Sequence, residues 1–197
     1  MSARLCTAIF GTLLGIVVAL LRMSRVKLLK VLAGAYIEFL RGTPLLVQVL
    51  IVFYGLPQMG VKLPRMTAGT VALVINSAAY MAEIVRSGIQ AIDGGQTEAS
   101  RSLGMNGAQT MIYIILPQAI KNILPAIGNE FISIIKESSI LYTIGIYELT
   151  YQANKLASTN FRYLETLTIS ALIYFVLTFT ASRLLGMLER RMRRGDR

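Results

Sequence analysis

The chain has 197 residues, 54% of them hydrophobic and 15% charged, with a formal net charge of +10. Soluble domains carry about a quarter charged residues, so this balance points to an integral membrane protein. There is no histidine and Cys6 is the single cysteine, which excludes an intrachain disulfide and any Cys/His metal cluster.

The apolar content collects in five segments. The first, Leu5–Leu21, is barely long enough, because a span needs about 20 residues. It begins almost at Met1, so the start is expected to lie inside a longer first helix. No charged leader precedes a clean small-residue cleavage site, and no cleavable signal peptide is expected. Cys6 reads as a small apolar filler. Gly11, Gly15 and Ala19 recur every four residues on one face, a pattern that lets another helix approach closely. The second segment runs from about Val31 to Leu56 and is broken at Arg41-Gly42-Thr43-Pro44. The third is about Ala68–Val85. The fourth, about Ile112–Ile135, is interrupted by Pro117 and Pro125, each of which removes a helix donor and predicts a kink. The fifth is about Leu164–Leu188.

Positive charge sits in the breaks between these segments, so membrane orientation explains it and nucleic-acid binding is not expected. Arg22, Arg25, Lys27 and Lys30 follow the first span, and Arg86 and Arg101 follow the third. Arg190, Arg191, Arg193, Arg194 and Arg197 follow the fifth, in a basic tail at about 189–197. The opposite loops carry Lys62, Arg65, Lys155 and Arg162. The positive-inside bias therefore predicts an external N-terminus and a cytoplasmic C-terminus, with the tail also able to meet anionic lipid. All residues form one transmembrane domain in this reading.

Between the third and fourth segments lies a polar insert at about 93–111, predicted to be cytoplasmic. Asp93-Gly94-Gly95-Gln96 predicts a turn, and Gln96-Thr97-Glu98 a helix start with acidic Glu98 near the positive end. Ala99, Ser100, Leu103 and Ala108 give this short helix a small, partly apolar face. Gly104 predicts a left-handed stop, and Asn106-Gly107 a second turn.

Polar side chains inside apolar segments are candidates for a pathway, because an ionisable group at membrane depth costs at least about 2.5 kcal/mol unless paired or wetted. They are Gln48, Asn76, Ser77, Tyr80, Asn129 and Glu130. Asn76, Tyr80 and Glu83 share one helix face. Glu83 is spaced to pair with Arg86, and Glu38 with Arg41. No Gly-x-x-x-x-Gly-Lys-Ser/Thr loop or dinucleotide fingerprint occurs, so no nucleotide site, cofactor or enzyme activity is expected in this chain.

Glu98, Ala99, Gly104, Ile114, Leu116 and Pro117 match, at the right spacing, the Glu-Ala-Ala signature of the membrane subunits of binding-protein-dependent ABC importers; Ser100 stands where a second alanine is usual. Arg41-Gly42-Thr43-Pro44-Leu45-Leu46-Val47-Gln48 after Glu38 resembles the polar amino-acid group of these permeases (histidine, glutamate, glutamine, arginine, opine). So do Asn76-Ser77-Ala78-Ala79-Tyr80, Gly128-Asn129-Glu130-Phe131-Ile132 and Ile135-Lys136-Glu137-Ser138-Ser139-Ile140. The resemblance implies an all-α integral membrane protein of the type I importer kind, with about five transmembrane helices in the bacterial inner membrane. It implies that the insert is a coupling helix whose Glu98, Ala99, Ser100, Leu103, Gly104 and Met105 contact an ATPase subunit. The expected partners are an ATPase dimer, which holds the ATP, a second permease subunit and an extracytoplasmic binding protein. An amino acid is the expected cargo, and the extra carboxylate of Glu130 would suit a basic one such as arginine, lysine or histidine. The rival readings are a stand-alone secondary carrier, which predicts inverted repeats and usually more spans, and a non-transporting scaffold, which predicts replaceable intramembrane polar residues.

Overall fold

The computed structural model describes residues Ser2 to Arg193, with side-chain surroundings from Arg4 to Met192. Arg194 and Arg197 of the expected basic tail lie outside the described residues. The described residues form helices joined by short links and contain no strand. In chain order the helices are α1 (Ser2–Arg22), α2 (Lys27–Gly42), α3 (Leu45–Gln58), α4 (Arg65–Gln90), α5 (Gly94–Ser102), α6 (Gly107–Ile144), α7 (Leu149–Asn160) and α8 (Tyr163–Arg193). Helices α1, α4, α6 and α8 are each long and apolar enough to cross a membrane, and α2 with α3 makes a fifth crossing if the bent pair is one broken span. The all-α, roughly five-span expectation therefore holds.

Helix α4 is central, with Ala72, Leu73, Ala78, Ala79, Met81 and Ala82 fully buried. The small-residue face of α1 lies along it. A Cβ at Gly11 would sit 2.9 Å from Ser77 Oγ, and one at Gly15 would overlap Met81. Each step of four residues in α1 matches a step of four in α4, so the two helices run parallel. Backbones this close exclude any side chain between them, which is why glycine stands at both positions.

The break in the second segment is a bend of 106° between α2 and α3. Pro44 forces its predecessor out of the helical region, and Thr43 is extended at φ −117°, ψ 146°. Gln48 closes the elbow: its amide donates to the carbonyls of Leu40 (2.8 Å) and Thr43 (3.1 Å) and to Thr43 Oγ1 (2.9 Å). Its own carbonyl accepts from Asn76 Nδ2 at 2.9 Å, which pins the elbow to α4.

Two Leu-Pro steps distort their helices in the same way. Ile51–Gly55 precedes Leu56-Pro57 and Thr110–Ile115 precedes Leu116-Pro117, and both stretches are π-helical. The amides of Leu56 and Leu116 donate to carbonyls five residues back, on Ile51 and Met111. A proline ring presses on the carbonyl four residues before it, and widening the preceding turn relieves that clash. Pro117 thus acts through a π turn, while Pro125 is buried inside a continuing helix.

Several local expectations are corrected. The fourth segment is a longer helix, 107–144, because Asn106 and Gln109 form a capping box at its start rather than a free turn. Asp93 caps α5 by accepting from the Gly95 amide at 2.7 Å, so the helix begins at Gly94, within the expected turn. Glu38 meets Arg22 of α1 at 3.4 Å rather than Arg41, and Arg41 reaches Glu83 of α4 at 3.8 Å. Both partners come from helices that spacing within α2 cannot reveal. The Glu83–Arg86 pair forms as expected. Helix α7 had no apolar run to announce it. It is capped by Glu148, which accepts from the Tyr151 amide at 2.6 Å and from Tyr174 of α8 at 2.7 Å.

Helix α8 runs antiparallel to α6, with Leu185 against Gly128 and Leu188 near Leu124. Its exposed Leu172, Phe175, Val176 and Phe179 suit an apolar solvent such as lipid. The directions place α5 at the Arg22 end of the bundle together with the end of α8. Arg4 and Glu148 line one small cavity at the opposite end.

Candidate functional site

The first site is the segment around α5. Its stop is a left-handed glycine, Gly104 at φ +85°. The amide of Gly104 donates to the Arg101 carbonyl at 2.9 Å and that of Met105 to the Ser100 carbonyl at 3.1 Å, so the last helical carbonyls are satisfied. This geometry turns Leu103 outward, where it is 83% exposed. Glu98, Ala99 and Gly104 are exposed with it and Met105 is half-buried. An exposed leucine beside a bare glycine backbone at the tip of a polar segment offers a compact apolar knob for a groove.

Ser100 departs from the expected contact set. It is 3% exposed and faces the body of the protein. Its hydroxyl bonds to Thr110 Oγ1 at 3.0 Å and lies 2.9 Å from the Thr97 carbonyl. Thr110 is equally buried, within the π turn of α6. Gln96 and Gln118 add a longer bridge of 3.4 Å between the same helices.

The second site is a buried polar seam where α1, α4 and α6 meet. Glu130 is buried and Ser77 lies beside its carboxyl group. Among the described residues, Ser77 Oγ, Glu130 Oε1 and Thr7 Oγ1 are buried side-chain polar atoms without a hydrogen-bond partner. Buried polar atoms are almost always paired, so the neighbouring Ser77 and Glu130 oxygens mark a pair of groups with bonding capacity left for a polar partner, and Thr7 is a further orphan on α1. Thr7 was not a candidate by sequence, although it lies one turn before Gly11 on the same small-residue face.

The remaining candidates separate. Gln48 and Asn76 bond to each other and hold the elbow, which occupies their amides in structure. Asn129 is exposed, on a different face of α6 from Glu130, because adjacent helical residues diverge by about 100°. Tyr80 is half-buried beneath Arg41, whose guanidinium lies 5.4 Å from the ring centre. The shared face of Asn76, Tyr80 and Glu83 is therefore an anchoring face for α2 and α3. No cluster of metal-ligating side chains occurs among the described residues.

Residues 11–194 match the family described as the binding-protein-dependent transport system inner membrane component. The chain belongs to this family. The membrane component is 42% identical over 187 residues to the probable amino-acid permease protein YxeN of Bacillus subtilis, covering 93% of this chain and 84% of that one. It is also 42% identical over 191 residues to the arginine transport system permease protein ArtQ of the same organism, covering 96% and 87%. A solved structure described as an amino acid ABC transporter with histidines superposes with a TM-score of 0.92 at 54% identity, covering 96% of this chain and 89% of that one. A chain of a solved structure described as inward-facing conformations of the MetNI methionine ABC transporter shares the fold, at 18% identity and a TM-score of 0.69, covering 94% of this chain and 91% of that one. Family membership makes this a multi-pass inner-membrane permease subunit of an importer, and it decides against the stand-alone carrier and the scaffold.

Proposed function

We propose that the membrane component forms half of the transmembrane pathway of an ATP-driven importer for polar amino acids, with a basic amino acid as cargo. The relatives' descriptions support the amino-acid class. The observation that carries the chemistry is the Glu130 carboxylate, buried with an unpaired oxygen beside Ser77. An isolated buried carboxylate is costly, and a bound ammonium or guanidinium would relieve it. Ser77, Thr7 and Glu130 are the pathway residues in this reading. Gln48, Asn76 and Tyr80 support them by holding the elbow, and Asn129 faces away.

The chain carries no nucleotide loop, so ATP is bound and hydrolysed by a dimer of ATPase subunits. The docking face is Glu98, Ala99, Leu103, Gly104 and Met105. A second permease subunit completes the pathway, an extracytoplasmic binding protein delivers the amino acid, and the basic tail meets anionic lipid. The charge bias supports an external N-terminus and a cytoplasmic C-terminus. ATP binding shifts the balance between two orientations only through differential affinity for them.

Uptake by proteoliposomes containing the complete complex tests the substrate reading. Glu130→Gln removes a charge-assisted contact, and basic amino-acid uptake should fall about tenfold or more. Unchanged uptake of every amino acid would remove Glu130 from the pathway. Gly104→Trp tests docking: the variant should insert normally but lose ATPase association or coupling.

A further inference from the structure

The family signature assigns the α5 segment to ATPase contact but does not say how a push on α5 reaches the membrane. Two connections leave α5. One is the chain itself, through Ala91–Asp93 to α4 and through Leu103–Asn106 to α6. Both stretches are short non-helical links, and the second turns at the left-handed Gly104. The other is side-chain contact with α6, whose buried part runs from Ser100 to Thr110, residues each 3% exposed, at 3.0 Å. Thr110 opens the π turn that leads into Pro117 and the long body of α6. Twenty residues beyond Thr110 on that helix stands Glu130.

We infer that the buried Ser100–Thr110 hydroxyl pair is a strut that makes α5 and the base of α6 move as one body, so that Ser100 is a positioning residue for coupling and no part of the docking face. This rests on the reading of α5 as the ATPase-docking segment. The physical reason is the asymmetry of buried hydroxyls. Each is shielded from water, so removing Ser100 leaves Thr110 without the bond between the helices, and removing Thr110 leaves Ser100 only the Thr97 carbonyl of its own helix. Sliding α5 along α6 breaks the bond, and moving the two together preserves it. Gln96–Gln118 bridges the same helices across the π turn at 3.4 Å and is exposed, so it adds little against water. The strut thus routes the push into α6, the helix that carries Glu130, in preference to α4.

The test uses Ser100→Ala, Thr110→Val, the double variant and Thr110→Ser, which keeps the hydroxyl. Amide hydrogen exchange over residues 94–102 is measured on the full chain in detergent, without partners. Loss of one buried hydrogen bond corresponds to a factor of about 5 in a local opening equilibrium. Exchange should therefore quicken about fivefold in each single variant. The double variant should be no worse than the singles, because the pair acts as a unit, and Thr110→Ser should match the wild type. The same variants are then assembled with ATPase subunits in proteoliposomes. Co-purification should be unchanged, because the Ser100 side chain faces inward, while ATP hydrolysed per amino acid imported rises by about the same factor. Unchanged exchange in both single variants, or effects that add in the double variant, overturns the strut. So does normal ATP per amino acid in the face of quickened exchange. A wild-type chain that fails to retain ATPase subunits overturns the docking reading instead, and the exchange differences remain as its separate signature.

Discussion

Gly104 permits a quantitative test of how the docking tip is built. Its φ of +85° lies where L side chains are strained, yet a Cβ placed there meets nothing within 4 Å. The cost of a side chain is therefore conformational and not a clash inside this chain. For alanine the left-handed region costs roughly 1–2 kcal/mol, whereas asparagine enters it more readily. The strain bears on the two capping bonds, Gly104 to Arg101 and Met105 to Ser100, and on the outward turn of Leu103. A penalty of that size shifts an equilibrium by a factor of about 5–30. Titrating ATPase subunits onto immobilised membrane component should rank affinity as Gly104, then Gly104→Asn, then Gly104→Ala, with β-branched Gly104→Val weakest. A groove that merely excludes bulk predicts another order, because alanine is smaller than asparagine. If Gly104→Ala binds as well as or better than Gly104→Asn, the argument from backbone strain is wrong.

Other outcomes follow from the same geometry. Gln48→Leu removes the elbow's bonds and leaves the buried Asn76 amide and Leu40 carbonyl unpaired, at about 1–3 kcal/mol for each orphaned group. Thermal unfolding in detergent should shift down, and Asn76→Leu in the Gln48→Leu background should cost less than it does alone. Gly15→Leu drives a side chain into Met81 and the Ala78 carbonyl, where overpacking costs typically 1–3 kcal/mol or more. A tryptic digest should then show α1 released from α4. Gly42→Ala, by contrast, meets nothing within 4 Å and adds helix propensity of somewhat under 1 kcal/mol at the end of α2. It should leave the melting temperature unchanged or raised.

Much of this architecture was legible in the residues, and the failures share a cause. Apolar length announced α1, α4, α6 and α8, and Thr43-Pro44 announced the elbow, because both signals are local. The glycine face of α1 was legible because its four-residue period is a property of one helix. Partners across helices were not. Glu38 and Arg41 were paired by spacing, whereas each reaches a different helix. The bond between Gln48 and Asn76 was not legible either, because a polar residue in an apolar run carries no label for its partner. Ser100 and Thr110 are ten positions apart, and only the reversal of the chain at Gly104 brings them together. Helix α7 escaped because a polar helix at the end of a bundle has no apolar stripe long enough to read.

The π turn before Pro117 has a consequence for azimuth. Each residue of an α-helix advances by about 100°, so one extra residue in a turn rotates everything beyond it by about that amount. Glu130 lies downstream, and its inward aim depends on the π-helical stretch Thr110–Ile115, where hydrogen bonds reach five residues back instead of four. Were the turn to tighten to ordinary α geometry, the carboxylate would swing away from α1 and α4 and another side chain would face Ser77. The bearing of the membrane-buried charge is thus fixed near the docking end, at a proline some thirteen residues before it along the chain.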